Sequence, residues 1–390
     1  MTTPRVQVGI VGAGPAGLML AHLLARAGVS ATVLEQRSRA TVEGTVRAGV
    51  LEQGTVDLLQ AQGLGARMQR EGAVHDGVEL RFEDARCRIP LTELTEGRAI
   101  TLYAQHEVLK DLLAAREAVE ALPQFEATVT GVVDETGSPA RIHYTQRGQQ
   151  LALDCDFVVG ADGYHGPVRR HIPESVRQET QRQWPFAWFG ILLEAPRISP
   201  ELIYARHARG FALASTRSAQ LQRLYLQVSP DTRPDDLSGE TIIEELAARL
   251  DLPRDWCAGP SAIRQRDVVA MRSFVCQTLR HGRLILAGDA AHIVPPTGAK
   301  GLNLAMHDVR LLADALIQHF GSGDDGGLQH YPARALARVW QAQRFSWWMT
   351  SCFHRLDSED AFDVGLKRAG FMQLVESRTA AAAFARDYVG

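Results

Sequence analysis

Apolar residues along this chain follow two rhythms. Short strand-like runs occur at Val6-Gln-Val-Gly-Ile-Val11, Ala31-Thr-Val-Leu34 and Arg283-Leu-Ile-Leu-Ala287. Residues 151–159, 187–193 and 211–228 also have β character. The first two runs flank a segment that reads as a helix ending near Ala27. Beyond 300 the rhythm changes: apolar residues at 302, 305, 306, 309, 312, 313 and 316 share one helical face, and the pattern stays largely helical to the end. The expected architecture is therefore an α/β lobe interrupted by a mostly β lobe and closed by a helical region. The expected boundaries are 1–180, 181–270 and 271–390.

Between the first two strands lies Gly12-Ala-Gly14-Pro-Ala16-Gly17, and the second strand ends on Glu35. Strand, glycine turn, helix and acid at this spacing form the dinucleotide-binding fingerprint in its required context. Gly12 permits the tight turn, Gly14 lets the backbone approach a pyrophosphate, and Gly17 lets helix pack on strand. Glu35 suits ribose hydroxyls. An ordinary glycine-rich turn is the bland alternative. A second motif follows the run at 283–287: Gly288-Asp289, a Pro/Gly loop through Pro295-Pro296-Thr297-Gly298-Ala-Lys300-Gly301, then Leu302-Asn303 at a helix start. Unpaired N–H groups and the positive helix end suit an electron-rich ring that becomes anionic. A third, Asp162-Gly163 followed by His165 and Arg169, is by itself only a turn.

The 390 residues carry a net charge of −3, which points to neither nucleic acid nor membrane as partner. The apolar stretch 6–29 holds glycines and a proline, lacks a basic leader, and reads as neither signal peptide nor membrane span. Five scattered cysteines without metal spacing read as reduced thiols, so a cytoplasmic location and no metal site are expected. Lys110, Lys300 and Lys367 are the only lysines among 42 basic residues, which draws attention to Lys300 inside the loop. Phe345, Trp347, Trp348, Met349 and Phe353 cluster on one helix, for core packing or a dimer interface.

The ordered set of fingerprint, Glu35, Asp162-Gly163 and Gly288-Asp289 resembles the class A flavoprotein aromatic hydroxylases. The likeness is carried further by Arg47-Ala-Gly-Val-Leu-Glu-Gln-Gly54, Glu201-Leu-Ile-Tyr204, Arg209-Gly-Phe-Ala-Leu213, the 288–303 run, Arg344-Phe-Ser-Trp-Trp-Met-Thr350 and Asp387-Tyr388-Val-Gly390. It spans essentially the whole chain and is strongest to the branch acting on 4-hydroxybenzoate. The resemblance implies an α/β, FAD-binding, Rossmann-like domain of the glutathione-reductase type, with an inserted, mostly β substrate domain and a helical C-terminal region. It implies noncovalent FAD, reduction by NADPH or NADH, O2 activated at flavin C4a, and 3,4-dihydroxybenzoate as product. A homodimer is implied as well.

Residue by residue, the resemblance implies that Arg217 holds the substrate carboxylate, with Ser215, Thr216 and Tyr225 beside it. A planar arginine fork suits a carboxylate. Tyr204, Tyr388 and His75 are the implied proton relay from the phenol, and Pro296 and Thr297 shape the phenol end. FAD contacts are implied for Gly12, Gly14, Ala16, Gly17, Glu35, Thr45, Val46, Arg47, Ala48, Gly49, Val50, Gln105, Asp162, Asp289, Lys300, Leu302 and Asn303. Thr45 departs from the family, where arginine is expected. No second fingerprint exists, so the nicotinamide cosubstrate is expected on a surface groove near His165, Arg169 and Arg272, with the 2′-phosphate near Gln36, Arg37 and Arg39. Hydroxylation of 3-hydroxybenzoate or 2,4-dihydroxybenzoate, a plain NAD(P)-dependent dehydrogenase and a flavin-binding sensor are the competing readings.

Overall fold

In the computed structural model, residues 3–45, 49–135, 138–253 and 255–390 are described. Val46, Arg47 and Ala48, expected at the flavin, lie outside them.

The first sheet grows from Arg5–Val11, which pairs in parallel with Ala31–Glu35 on one side and Gln149–Gly160 on the other. Leu284–Leu286 extends it in parallel beyond Gln149–Gly160. Residues 5 and 286 thus lie in one sheet, because a parallel neighbour requires a crossover and leaves the chain free to make a long excursion first. The helix Pro15–Arg26 packs between this sheet and the long helix Gly301–Ser322. Together they enclose the largest core, which includes Ile10, Leu18, Val158, Ile285 and Leu312.

The second sheet has eight strands, in the order His292–Ile293, Ile263–Cys276, Glu179–Glu194, Leu221–Val228, Gly210–Ser218, Leu202–His207, Gly77–Phe82 and Ala85–Pro90. It is wider than the expected 181–270. Gly77–Phe82 joins through a parallel pairing with Leu202–His207, a long-range contact no local pattern announces. Period-two alternation gives the sheet two faces. Ile203, Ala205, Ala214, Leu224 and Leu226 face the helix Gly239–Leu250. Tyr204, Leu213 and Tyr225 face the helical region, with Phe345, Met349 and Tyr388.

That region comprises Gly326–Phe353, Ala361–Glu376 and Arg378–Val389. Asp360 starts the second helix with a capping box to Asp363, and Ser377 caps the third. Among the described residues no helix is long and apolar enough to cross a membrane.

Candidate functional site

The nucleotide end forms around the first glycine turn. Gly12 has φ +105°, and a Cβ there would lie 2.3 Å from the Ala161 carbonyl oxygen. A Cβ on Gly17 would lie 1.9 Å from the Gly12 carbonyl oxygen, so helix and turn touch. Nothing lies within 4 Å of a Cβ on Gly14, which leaves backbone open where a pyrophosphate would approach. Glu35 is buried at its strand end, accepting from Ala13 N (2.8 Å) and from Arg37 N and Nε (both 2.9 Å). Burial opposes its charge, but these donors keep its pKa below the ordinary glutamate value.

The Gly288-Asp289 turn meets this helix directly. Gly288 has φ +62°, and its Cβ would stand 3.2 Å from the Ala16 Cβ. Asp308, fully buried, accepts from Gly288 N (2.9 Å) and His292 Nε2 (2.6 Å). Tyr331 donates to the Leu286 carbonyl (2.7 Å) from the other side. Sequence reasoning missed Asp308, His292 and Tyr331; only the apolar period surrounding a lone buried aspartate hinted at them.

The loop continues through the tight turn Pro296–Gly298 to Ala299, which is left-handed at φ +54°. Gly298 leaves no room for a side chain, since its Cβ would stand 2.4 Å from Ser346 Oγ. Thr297 is fully buried, with Thr350 Oγ1 3.0 Å from its hydroxyl. The Pro296 carbonyl accepts from Ala299 N (2.9 Å). The helix Gly301–Ser322 makes its first bond from Leu304 N to the Lys300 carbonyl, which leaves the Leu302 and Asn303 N–H groups ahead of the ladder. The Asn303 side chain ties Glu52 N, Thr55 and Val50 to this helix start. Gly49 presses on Tyr103 and Gln105, where a Cβ would stand 2.7 Å from Gln105 N. Open backbone at Gly14, free N–H groups at the helix start and a ribose-type acid at Glu35 fit a dinucleotide carrying an electron-rich ring.

Lys300 has another task. It is buried and donates to Glu52 Oε1 (2.5 Å) and to the Tyr388 carbonyl (2.9 Å). Arg338 holds the other Glu52 oxygen (2.8 Å), and Arg98 takes the Gly390 carbonyl (2.6 Å). The chain's last residues are therefore clamped. Arg338 and Arg98 carried no recognisable signal in sequence, and Glu52, inside the 47–54 segment, was not singled out. Thr45 closes its short helix by donating to the Thr41 carbonyl (2.6 Å).

The tail delivers Tyr388 to the second sheet, where its hydroxyl lies 2.8 Å from that of Tyr204. Both are buried, and burial raises both phenol pKa values. Tyr204, Leu213 and Tyr225 align across three strands. Ser215 follows Leu213 on the same face, and a bulge between Thr216 and Ser218 re-aims Arg217. Arg217 is partly buried; desolvation lowers its pKa, and among the described residues no carboxylate pairs with it. Tyr225 accepts from Arg223 Nε (3.2 Å), whereas Arg223 has its own partner in Asp267.

Two expectations need adjusting here. The Thr216 side chain turns to the opposite face and bonds Gln222 Oε1 (2.9 Å), because alternation forbids it from sharing the face of Ser215. His75 is buried on Ala73–His75 with Nδ1 unpartnered, and burial pushes its pKa down to about 4; no direct bond joins it to Tyr388 among the described residues.

The surface expectations divide likewise. Arg272 stacks over the Tyr164 ring at 4.8 Å, and exposed His165 meets that ring edge-on. Arg169 is buried and spent internally on Glu179 (2.9 Å), the Ala290 carbonyl and the Tyr164 carbonyl (both 2.7 Å). It braces the Gly288–Ala290 turn. Arg37 is engaged by Glu35, and Arg39 by Glu43 and Glu117, while Gln36 is exposed. Asp162 accepts from Val168 N (2.9 Å) with its other oxygen buried and unpartnered, and burial pushes its pKa up to about 6.

Comparison with known proteins agrees with this geometry. The family described as FAD binding domain matches residues 5–346. The p-hydroxybenzoate hydroxylase of Acinetobacter baylyi is 40% identical over 392 aligned positions, covering 100% of this chain and 96% of the relative. The 6-hydroxy-3-succinoylpyridine 3-monooxygenase of Pseudomonas putida is 29% identical, covering 82% of each chain. Among solved structures, p-nitrophenol 4-monooxygenase from Pseudomonas putida superposes with a TM-score of 0.82 at 18% identity, over 99% of this chain and 98% of that one. With the family matched over most of its length and a hydroxylase aligned end to end, the chain belongs to the FAD-dependent monooxygenases of the FAD binding domain family.

Proposed function

We propose that the chain hydroxylates 4-hydroxybenzoate at C3, converting it with O2, NADPH and a proton into 3,4-dihydroxybenzoate, water and NADP+. NADH is the alternative reductant. The observation that carries the substrate class is Arg217, a partly buried guanidinium among hydroxyls with no carboxylate of its own. An aromatic carboxylate supplies the missing charge, and the end-to-end hydroxylase relative supports the choice of acid.

Bound FAD supplies the redox chemistry, accepting hydride and activating O2 for transfer to the ring. Gly12, Gly14, Ala16, Gly17, Glu35, Gly49, Val50, Gln105, Asp162 and Asp289 would hold it, with Leu302 and Asn303 donating N–H groups to its ring. The protein's remaining tasks are binding and proton control. Arg217 holds the carboxylate, with Ser215 and Tyr225 as hydroxyl partners. The Tyr204 hydroxyl bonds the phenol oxygen and passes its proton to Tyr388 across 2.8 Å. Burial keeps both tyrosines protonated, so they relay a proton without storing charge. Pro296 and Thr297 bound the phenol end, and His75 lies further along the exit path.

The cosubstrate binds transiently over Tyr164, between His165 and Arg272. The chain acts in the cytoplasm, in keeping with its five free cysteines, as a homodimer. Trp340 and Trp347, each 46% exposed and seven residues apart on one helix, support that pairing.

Anaerobic reduction of the FAD-loaded protein by NADPH, with and without 4-hydroxybenzoate, tests the reading. Strong acceleration by this acid is expected. Equal rates, or acceleration only by 3-hydroxybenzoate or 2,4-dihydroxybenzoate, overturn the substrate and leave the flavin chemistry intact.

A further inference from the structure

His354 follows the helix Gly326–Phe353 and is fully buried. Its ring lies flat between Phe186 (4.4 Å, 11°) and Phe211 (4.3 Å, 27°). Trp188 Nε1 is 2.6 Å from its Nε2, and its Nδ1 is 2.9 Å from the Thr350 carbonyl. An indole nitrogen only donates and a carbonyl only accepts, so both roles are fixed: Nε2 accepts and Nδ1 carries the proton. The ring is neutral and locked in one tautomer. Its two partners lead in different directions. Trp188 packs at 4.9 Å on the Tyr225 ring, beside Arg217. Thr350 reaches Thr297 of the 295–300 loop through its hydroxyl at 3.0 Å.

We propose that His354 is a positioning residue for substrate binding: it fixes the Trp188 plane that supports Tyr225 and keeps that plane in register with Thr297 through Thr350. The inference rests on the reading of Arg217 and Tyr225 as the acid-binding end. Were His354 only filler, any ring of similar size would serve. Instead, both ring nitrogens are used, and each points to a different half of the site. Among the described residues the indole N–H has no other acceptor, so losing His354 leaves a buried donor unpaired and lets the Trp188 plane move.

The test is His354→Phe, which keeps the stack and removes both bonds, with His354→Gln restoring an acceptor and a donor. The FAD-loaded proteins are titrated with 4-hydroxybenzoate by flavin absorbance, and product is measured per NADPH consumed. His354→Phe should weaken acid binding about tenfold or more and divert NADPH oxidation to hydrogen peroxide, while FAD affinity of the apoprotein stays as in the wild type. His354→Gln should recover part of both losses. Thr350→Val, which removes the hydroxyl's bonds to Thr297 and to the Ser346 carbonyl one turn back but keeps the carbonyl that holds His354, guards against misfolding of the first variant and should raise peroxide yield without weakening acid binding. A folded His354→Phe with wild-type acid affinity and coupling overturns the proposal. So does an equal loss of FAD affinity, which marks a general packing role. Absence of 4-hydroxybenzoate binding by the wild type overturns the substrate reading instead; the phenolic acid that does bind then takes its place in the same titration.

Discussion

Lys300 is buried and Arg217 partly buried, two cations on two sides of the proposed site, and they are treated in opposite ways. Lys300 is surrounded by acceptors: Glu52 and the Tyr388 carbonyl hold it, and Arg338 shares the acid. Arg217 faces Tyr225 and a second arginine, Arg223, whose carboxylate is already its own. A buried charge that the fold satisfies fixes shape; a charge left unsatisfied is paid for by other packing and awaits a ligand. The same contrast separates Arg169, spent on three internal bonds, from the open surface around His165 and Arg272.

Arg217→Met breaks the comparison most sharply. Removing the anion's partner should weaken 4-hydroxybenzoate binding by ~10²–10³-fold. The ligand-free protein should melt at the same temperature or higher, because an unpaired cation has gone. A titration and a thermal scan on one preparation decide the point. A large fall in melting temperature would show that Arg217 stabilises the fold.

Lys300→Met is the mirror image. It leaves Glu52 paired with Arg338 alone and deprives the Tyr388 carbonyl of its donor. Unfolding free energy should fall by about 3 kcal/mol, as for a buried pair losing one partner. Urea denaturation measures it, and unchanged stability would remove the clamp from this account. Tyr388→Phe is more local. It keeps the tail clamped and deletes the hydroxyl 2.8 Å from Tyr204. Hydroxylation should slow by ~10²-fold with stability altered by about 1 kcal/mol. Product formation in rapid quench and urea midpoints check both halves.

The two sides of the site also differed in how much was legible beforehand. The turn at 12–17 and the loop at 288–303 are contiguous, so glycine spacing and strand–helix alternation reveal them. The fold's first sheet follows from the same local pattern. The proposed acid-binding face is assembled from 204, 215, 217 and 225, with a tail residue at 388, and nothing periodic links those numbers. Family resemblance pointed to them, and strand register brings Tyr204 and Tyr225 onto one face. Register also removed Thr216 from that face, because neighbouring residues on a strand point opposite ways. The clamp was invisible because Lys300, Glu52 and Arg338 are brought together only by tertiary packing. Strands at 77–90 entered the second sheet for the same reason: a parallel pairing with 202–207 leaves no trace in either segment.

The mildest prediction uses pH, and again compares two sides. His75 and His354 are buried neutral, with burial pushing their pKa values down to about 4 and about 3 from 6.5. At these two sites the unfolded chain therefore binds protons below pH 6.5 that the folded chain refuses, and burial lowers the pKa of His22, His106, His171, His207 and His307 in the same direction. Stability falls as pH drops from 6.5 toward 4, at about 1.4 kcal/mol per pH unit for each histidine. His292 runs the other way. Burial opposes its charge, but Asp308 outweighs burial and raises its pKa above 6.5. Its stabilising contribution is fully present below its unfolded pKa and is lost as pH rises through the folded value. His75 and His354 thus add acid lability on the substrate side, and His292 adds alkaline lability at the flavin turn. Urea midpoints measured from pH 4 to 9 separate them by slope, which is insensitive to the bonds each variant also loses. His354→Phe should flatten the acid limb by one proton's worth and leave the alkaline limb alone. His292→Gln should do the reverse. An acid slope unchanged by His354→Phe would mean that the ring protonates in the folded state, which the Trp188 N–H pointing at its Nε2 forbids.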